Sequence, residues 1–222
     1  MRGGMTMKKI LLTGFEPFDG ETTNPSWELV RALDGKRIGK HSQIVGAKLS
    51  CVFGQALEEL AKHIQAHQPT IVVCIGQAGG RSEISIERVA INIDDARIAD
   101  NQGSQPIDRA IVPEGPAAYF SSLPIKAIVA AINAQGVPAA VSQSAGTFVC
   151  NHVFYGLMHM AAKQPAIRHA GFVHIPYLPT QAVRHAGAPS MSLEMMTRAI
   201  LQLLETTLTT KGDAAITGGS LH

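Results

Sequence analysis

The chain is short of the features that mark several large classes of protein. Charged side chains make up only 16% of it, the formal net charge is +2, and lysine and arginine never form a run. No nucleic-acid or membrane-surface partner is therefore expected. No apolar stretch reaches the roughly 20 residues that cross a bilayer. Residues 1–7 are polar and glycine-containing with no apolar core behind them, which is not the pattern of a secretory signal. There are only three cysteines, an odd number scattered along the chain, so a disulfide framework is not expected. A reducing cytoplasm fits this usage and would keep a reactive thiol reduced. No internal repeat is present, which sets aside solenoids and propellers.

The sequence does have enough apolar material for a large core, 45% of 222 residues, and that length suits one domain. The expectation is a single domain over 1–222, with 1–7 and 210–222 as loose ends. Short apolar runs at 8–13 (KKILLT), 44–49, 70–75, 85–92, 138–142 and 171–176 read as strands. Helical periodicity occupies the intervals between them. One helix starts at Asn24-Pro25-Ser26 and ends near Gly35, and a second spans 53–67. A third runs from Ser122 to Gly136, a fourth begins at Cys150, and a fifth is capped by Ser192. Strands alternating with helices imply an α/β fold: a three-layer α/β/α sandwich with a mostly parallel twisted sheet and helices on both faces.

Chemistry-bearing residues gather at the ends of these elements, where open α/β sheets place their sites. The segment 144–152 (SAGTFVCNH) is a small-residue turn that delivers Cys150 to a helix N-terminus. Unpaired N–H groups and the positive end of the dipole there favour thiolate, the nucleophilic form. The same N–H groups could hold an oxyanion. The competing reading is a buried cysteine acting as a small hydrophobe, which is the reading for Cys51 and Cys74. His174 ends an apolar strand, where it is either a core histidine bonded to a carbonyl or a base. Glu87 sits inside a strand-like run and needs a partner if buried: Arg88, Arg97 or a histidine. A Cys150–His174–Glu87 set would perform acyl transfer through a thioester, with Arg97 beside the Cys150 N–H at the oxyanion.

Other features carry less. The glycine-rich loop 76–80 (GQAGG) lacks both the GxGxxG spacing and the P-loop lysine, so phosphate binding is weakly supported. His63 and His67 lie one helical turn apart, but no glutamate follows His63 and no third ligand is evident, so a solvated face is expected rather than a metal site. The polar stretch 94–115 is long enough to be a functional loop. The residues alone leave open a cysteine hydrolase, a phosphate-dependent transferase of the nucleoside phosphorylase kind, and a ligand-binding domain with Cys150 in its core.

Four segments taken together resemble the pyrrolidone-carboxylate peptidase (pyroglutamyl peptidase type I) family. They are 14–18 (GFEPF), 76–81 followed by 84–92, 144–151, and 171–179, in the family's order. The resemblance implies a Glu87, Cys150, His174 triad that removes an N-terminal pyroglutamyl residue from peptides, with no cofactor and no metal. It implies that Phe15 and Phe18 hold the lactam ring, Gln77 bonds its polar edge, Phe148 and Val149 line the pocket, and Arg97 helps the oxyanion site. It also implies a soluble cytoplasmic enzyme that is often tetrameric. Asp19 departs from the pattern, standing where a glycine-type residue is expected after Phe18.

Overall fold

In a computed structural model describing residues 7–220, the first strand, β1 (Lys8–Phe15), is buried from Ile10 onward. It is flanked by β3 (Ser42–Leu49) and β4 (Ile71–Gln77), both parallel to it. Beyond β4 lies β9 (His169–Ile175), also parallel. The sheet direction then reverses. β5 (Ile84–Glu87) runs antiparallel to β9 and parallel to β8 (Ala139–Ser142) at the edge. The short β2 (Arg37–Ile38) closes the opposite edge, giving seven strands in the order β2-β3-β1-β4-β9-β5-β8. The central strands are apolar on both faces, as strands covered by helices on both sides must be.

Side chains alternate between two cores. Ile10, Leu12, Val73, Ile75, Ile84, Ile86, Val173 and Ile175 face α1 (Pro25–Leu33), α3 (Ile125–Ala134) and α6 (Leu193–Thr209). Leu11, Phe15, Val72, Cys74, Ala170 and Phe172 face α2 (Gln55–His67) and α4 (Val149–Lys163). By the period of two, Gly76, Ser85, Glu87 and His174 belong to the second face, beneath α4.

The helix starts follow local chemistry. Asn24 caps α1 by accepting from the Ser26 N–H, with Pro25 at the first helical position. Ser192 caps α6 by accepting from the Met195 N–H.

The structure departs from the sequence expectation in three places. First, the run 85–92 is not one strand. β5 ends at Glu87, and β6 (Val89–Ile91) leaves the main sheet to pair with β7 (Ala118–Phe120). Second, β1 continues through Gly14 and Phe15, so Phe15 stands on a strand and not in the following loop. Third, the segment after Thr209 forms no helix or strand, yet it is docked. The Asp213 carboxylate accepts from the Lys126 and Ala127 N–H groups in the first turn of α3, which Pro124 leaves without a side-chain cap. Arg88 Nη2 donates to the Gly218 carbonyl at 2.6 Å. The expected loose N-terminus falls, Met7 apart, outside the described residues.

An external cap of this kind is worth about 1 kcal/mol. Asp213→Ala should lower unfolding stability by roughly that amount. Urea denaturation followed by circular dichroism checks it, and an unchanged midpoint would show that the tail contributes nothing to α3.

Candidate active site

The sheet reversal at β9 brings the three sequence candidates together. Ser85 pairs with His174 across the antiparallel β5–β9 junction, so Glu87, two residues on, projects from the same face diagonally to the histidine. The Glu87 carboxylate Oε1 lies 2.7 Å from His174 Nδ1. On the other side of β9, Gly76 pairs with His174. Where Gly76 would carry a Cβ, that atom would stand 2.8 Å from Cys150 Sγ and 2.9 Å from Phe172 Cζ. The thiol therefore occupies the place of a missing side chain, over the register partner of His174 and on the same face of the sheet. Glycine is required here by close approach.

Glu87 is fully buried. Burial opposes its ionisation, but the His174 bond, with Ser142 and the Arg81 guanidinium, holds the carboxyl below its ordinary range. As an ionised acceptor it fixes the Nδ1–H tautomer of His174, leaving the Nε2 lone pair for a proton. Among the described residues Nε2 forms no hydrogen bond, and catalytic hydrogen bonds commonly tighten only when substrate is bound.

The partner of Glu87 is neither Arg88 nor Arg97. Arg88 reaches the C-terminal segment, and Arg81 takes the carboxylate at 2.8 Å. Arg81 also donates to Ser142 Oγ at 3.3 Å and to the Ser144 carbonyl at 3.1 Å. One guanidinium thus ties the buried acid to the turn that leads to the thiol. Periodicity could not reveal this; the only signal was a cation placed six residues before Glu87.

The expectation of a thiolate needs correction. Cys150 is half-buried, at the second position of α4, whose N-cap Phe148 offers no side-chain acceptor to the first-turn N–H groups. Burial pushes its thiol well above the ordinary value, the Cys51 thiol and the Glu87 carboxylate push in the same direction, and Arg81 opposes them. A half-turn of helix dipole does not outweigh that. The surroundings of the sulfur therefore favour the thiol over the thiolate. Cys51 and Cys74 are buried with thiols pushed up to about 12, as expected of core cysteines.

A cavity of about 220 Å³ is lined by Phe18, Asp19, Glu21, Gln77, Arg97, Tyr177 and His185 among others. Phe18 and Phe148 face one another with ring centres 6.2 Å apart, and Phe53 meets Phe148 edge-on at 5.4 Å. Val149 is buried and Arg97 is exposed. Phe15 is buried against Phe172, with ring centres 6.3 Å apart, and does not reach this cavity. Asp19 adopts φ 52°, the left-handed region, which explains why a glycine-type residue is expected there. The loop 76–80 turns its Ala78 N–H to the Ile175 carbonyl, in the sheet and not toward an anion.

Several supports were missed by sequence reasoning. The buried Asn151 side chain bonds the Ile91 N–H and the Ile91 and Ile93 carbonyls, locking the first turn of α4. Buried His152 pairs through Nδ1 with Asp94 at 2.9 Å and accepts from the Gly54 N–H at 2.9 Å through Nε2. Polar residues placed directly after Cys150, at the head of an apolar helix, were the available signal. His63 and His67 stack with centres 6.0 Å apart. Among the described residues no three His, Cys, Asp or Glu side chains converge as metal ligands, and no helix is long and apolar enough to cross a membrane.

Because the folded pKa of Glu87 is depressed, its contribution to stability is complete above the ordinary carboxylate value near 4.5 and is lost as pH falls through the lower folded value. Glu87→Gln should therefore destabilise the protein at neutral pH, and the gap from the unsubstituted protein should narrow only below about pH 4.5. Urea midpoints measured from pH 7 to pH 3 check this, and a gap that stays constant throughout would contradict it.

A family model described as pyroglutamyl peptidase matches residues 8–210. The chain is 62% identical over 218 residues to the pyrrolidone-carboxylate peptidase of Cupriavidus pinatubonensis, covering 97% of this chain and 100% of that one. The counterpart from Cupriavidus taiwanensis is 58% identical with the same coverage. The crystal structure of pyroglutamyl peptidase I from Bacillus amyloliquefaciens superposes with a TM-score of 0.92 at 49% identity, covering 96% of this chain and 100% of that one. A pyrrolidone carboxyl peptidase mutant from Pyrococcus furiosus gives 0.88 at 45%, covering 90% and 98%. The chain belongs to the pyroglutamyl peptidase family.

Proposed function

We propose that this protein is a cysteine exopeptidase that hydrolyses the N-terminal pyroglutamyl residue from peptides, using Cys150, His174 and Glu87. The observation that carries the assignment of roles is the placement of Cys150 Sγ over Gly76, the register partner of His174, with the far ring nitrogen bonded to buried Glu87.

As Sγ attacks the acyl carbonyl, its proton passes to His174 Nε2, and Glu87 stabilises the imidazolium through Nδ1–H. Negative charge on the carbonyl oxygen meets the free N–H groups at the start of α4, and Arg97 stands at the cavity edge to support it. The imidazolium then gives its proton to the departing amine, leaving a thioester. Water, deprotonated by His174, opens the thioester and releases 5-oxoproline and the thiol. A buried, protonated thiol suits this order of events, since the sulfur ionises only as its proton is taken up.

The cavity supports the substrate class. A pyroglutamyl end has no free amine, so an acidic anchor for an amino terminus would have nothing to hold. The aromatic faces of Phe18 and Phe148, with Val149 next in the chain, suit a flat uncharged ring, and the Gln77 amide supplies one polar group. We place Phe15 behind this pocket, supporting it through Phe172 and not touching the ring. We further propose one catalytic domain acting in the cytoplasm as a homotetramer. Three free thiols suit a reducing compartment, and α6 presents a shallow groove lined by Leu193, Thr197 and Leu201 for a second copy.

Cys150→Ala and His174→Ala should each lower turnover of a pyroglutamyl amide at least about 1,000-fold without changing the fold. Retained activity in either would overturn the assignment. Gly76→Ala should displace the sulfur and cost about 100-fold, and a turnover equal to that of the unsubstituted protein would show that the thiol is not seated there.

A further inference from the structure

The side chain of Gln181 is almost fully buried, at 1% exposure, and lies in the short helix α5 (Pro179–Ala182) that follows β9. It has four hydrogen-bonding partners on three separate segments, three of them sharing its two N–H groups. Its Oε1 accepts from the Leu178 N–H at 3.1 Å. Its Nε2 faces the Thr23 carbonyl at 3.1 Å, Gln77 Oε1 at 3.0 Å and Glu21 Oε2 at 3.3 Å. The backbone decides the orientation of this amide. The Leu178 N–H can only donate and the Thr23 carbonyl can only accept, so the oxygen and nitrogen of Gln181 cannot exchange places without opposing like groups twice. Glu21, which His185, Gln181 and Arg184 hold below its ordinary value despite burial, is a second fixed acceptor.

The orientation of Gln77 follows. Its Oε1 is the end that meets the Gln181 donor, which leaves its Nε2 amino group as the free end of a residue lining the cavity. We infer that Gln181 is a positioning residue that sets the hydrogen-bond polarity of the cavity, making Gln77 a donor toward the ring carbonyl of the pyroglutamyl group. This rests on the functional reading above and deepens it. A carbonyl-bearing five-membered ring is accepted, and a ring without that acceptor leaves a desolvated donor unpaired and is rejected. Gln181 touches no substrate; it acts through Gln77.

The test is a double-substitution cycle with Gln181→Met and Gln77→Met on a pyroglutamyl amide. Gln181→Met should raise KM about tenfold, the worth of one oriented hydrogen bond, with kcat within about threefold. The double variant should be no worse than Gln77→Met alone, because both changes remove one interaction. A merely structural role would lower kcat with KM unchanged, and effects that multiply would show that Gln181 does not act through Gln77; either result overturns the inference. A second measurement needs no variant and covers a Gln181→Met protein that does not fold. Against the unsubstituted enzyme, cyclopentanone should compete within about threefold of 2-pyrrolidone, since both offer the acceptor, and cyclopentene, a neutral ring without it, should not compete. The reverse ranking overturns the proposed polarity. Turnover of the pyroglutamyl amide by the unsubstituted enzyme, measured first, separates the two readings. Its absence refutes the function, whereas turnover with an unaltered KM in Gln181→Met refutes only the role of Gln181.

Discussion

A single contact governs the arrangement of this molecule: the buried hydrogen bond between Glu87 and His174, 2.7 Å long. A carboxylate with no exposure to water is among the most costly groups a fold can bury, and removing one partner of such a pair typically costs about 3–5 kcal/mol. It is tolerated because two separate pieces of chain converge on one oxygen and a third is tied to them. The antiparallel seam between β5 and β9 supplies the imidazole, the loop after β4 supplies Arg81, and Arg81 in turn holds the turn after β8. The strand reversal, which breaks an otherwise parallel run, is the topological condition for that convergence.

The sulfur is governed from the opposite side of the same histidine. A helix N-terminus is commonly credited with lowering a cysteine's pKa, but here the space over Gly76 and against Phe172 is apolar and the nearest full negative charge is that of Glu87. Desolvation and that carboxylate outweigh the helix dipole. On the other side of the ring, the buried Glu87 carboxylate fixes the Nδ1–H tautomer of His174 in advance.

Much of this was legible in the residues. Apolar runs of four to eight residues separated by helical periods give the layered sandwich, and Asn24-Pro25 and Ser192 announce their helices because capping is local chemistry. Cys150, His174 and Glu87 stood out as reactive residues at element ends. What stayed hidden was long-range. Residues 85–92 look continuous because β-propensity does not register that Arg88 turns the chain into a second sheet. The tail after Thr209 has no period, yet it docks through one carboxylate and one carbonyl, contacts that leave no pattern in composition. Gln181 is a polar residue in a proline-bounded turn, and only the packed structure shows it buried among three segments.

The strand order also bears on how the molecule reaches its native state. β9 lies between β4 and β5, although it is formed from residues 169–175, close to a hundred positions after β4 begins. Until it inserts, β4 and β5 both present open edges that can pair wrongly or recruit another chain. Closing such distant segments is slow, and rates fall as the sequence separation of contacts grows. His174 therefore joins Glu87 and Cys150 only once β9 is seated between β4 and β5, so the cluster is a product of sheet closure and of no single segment.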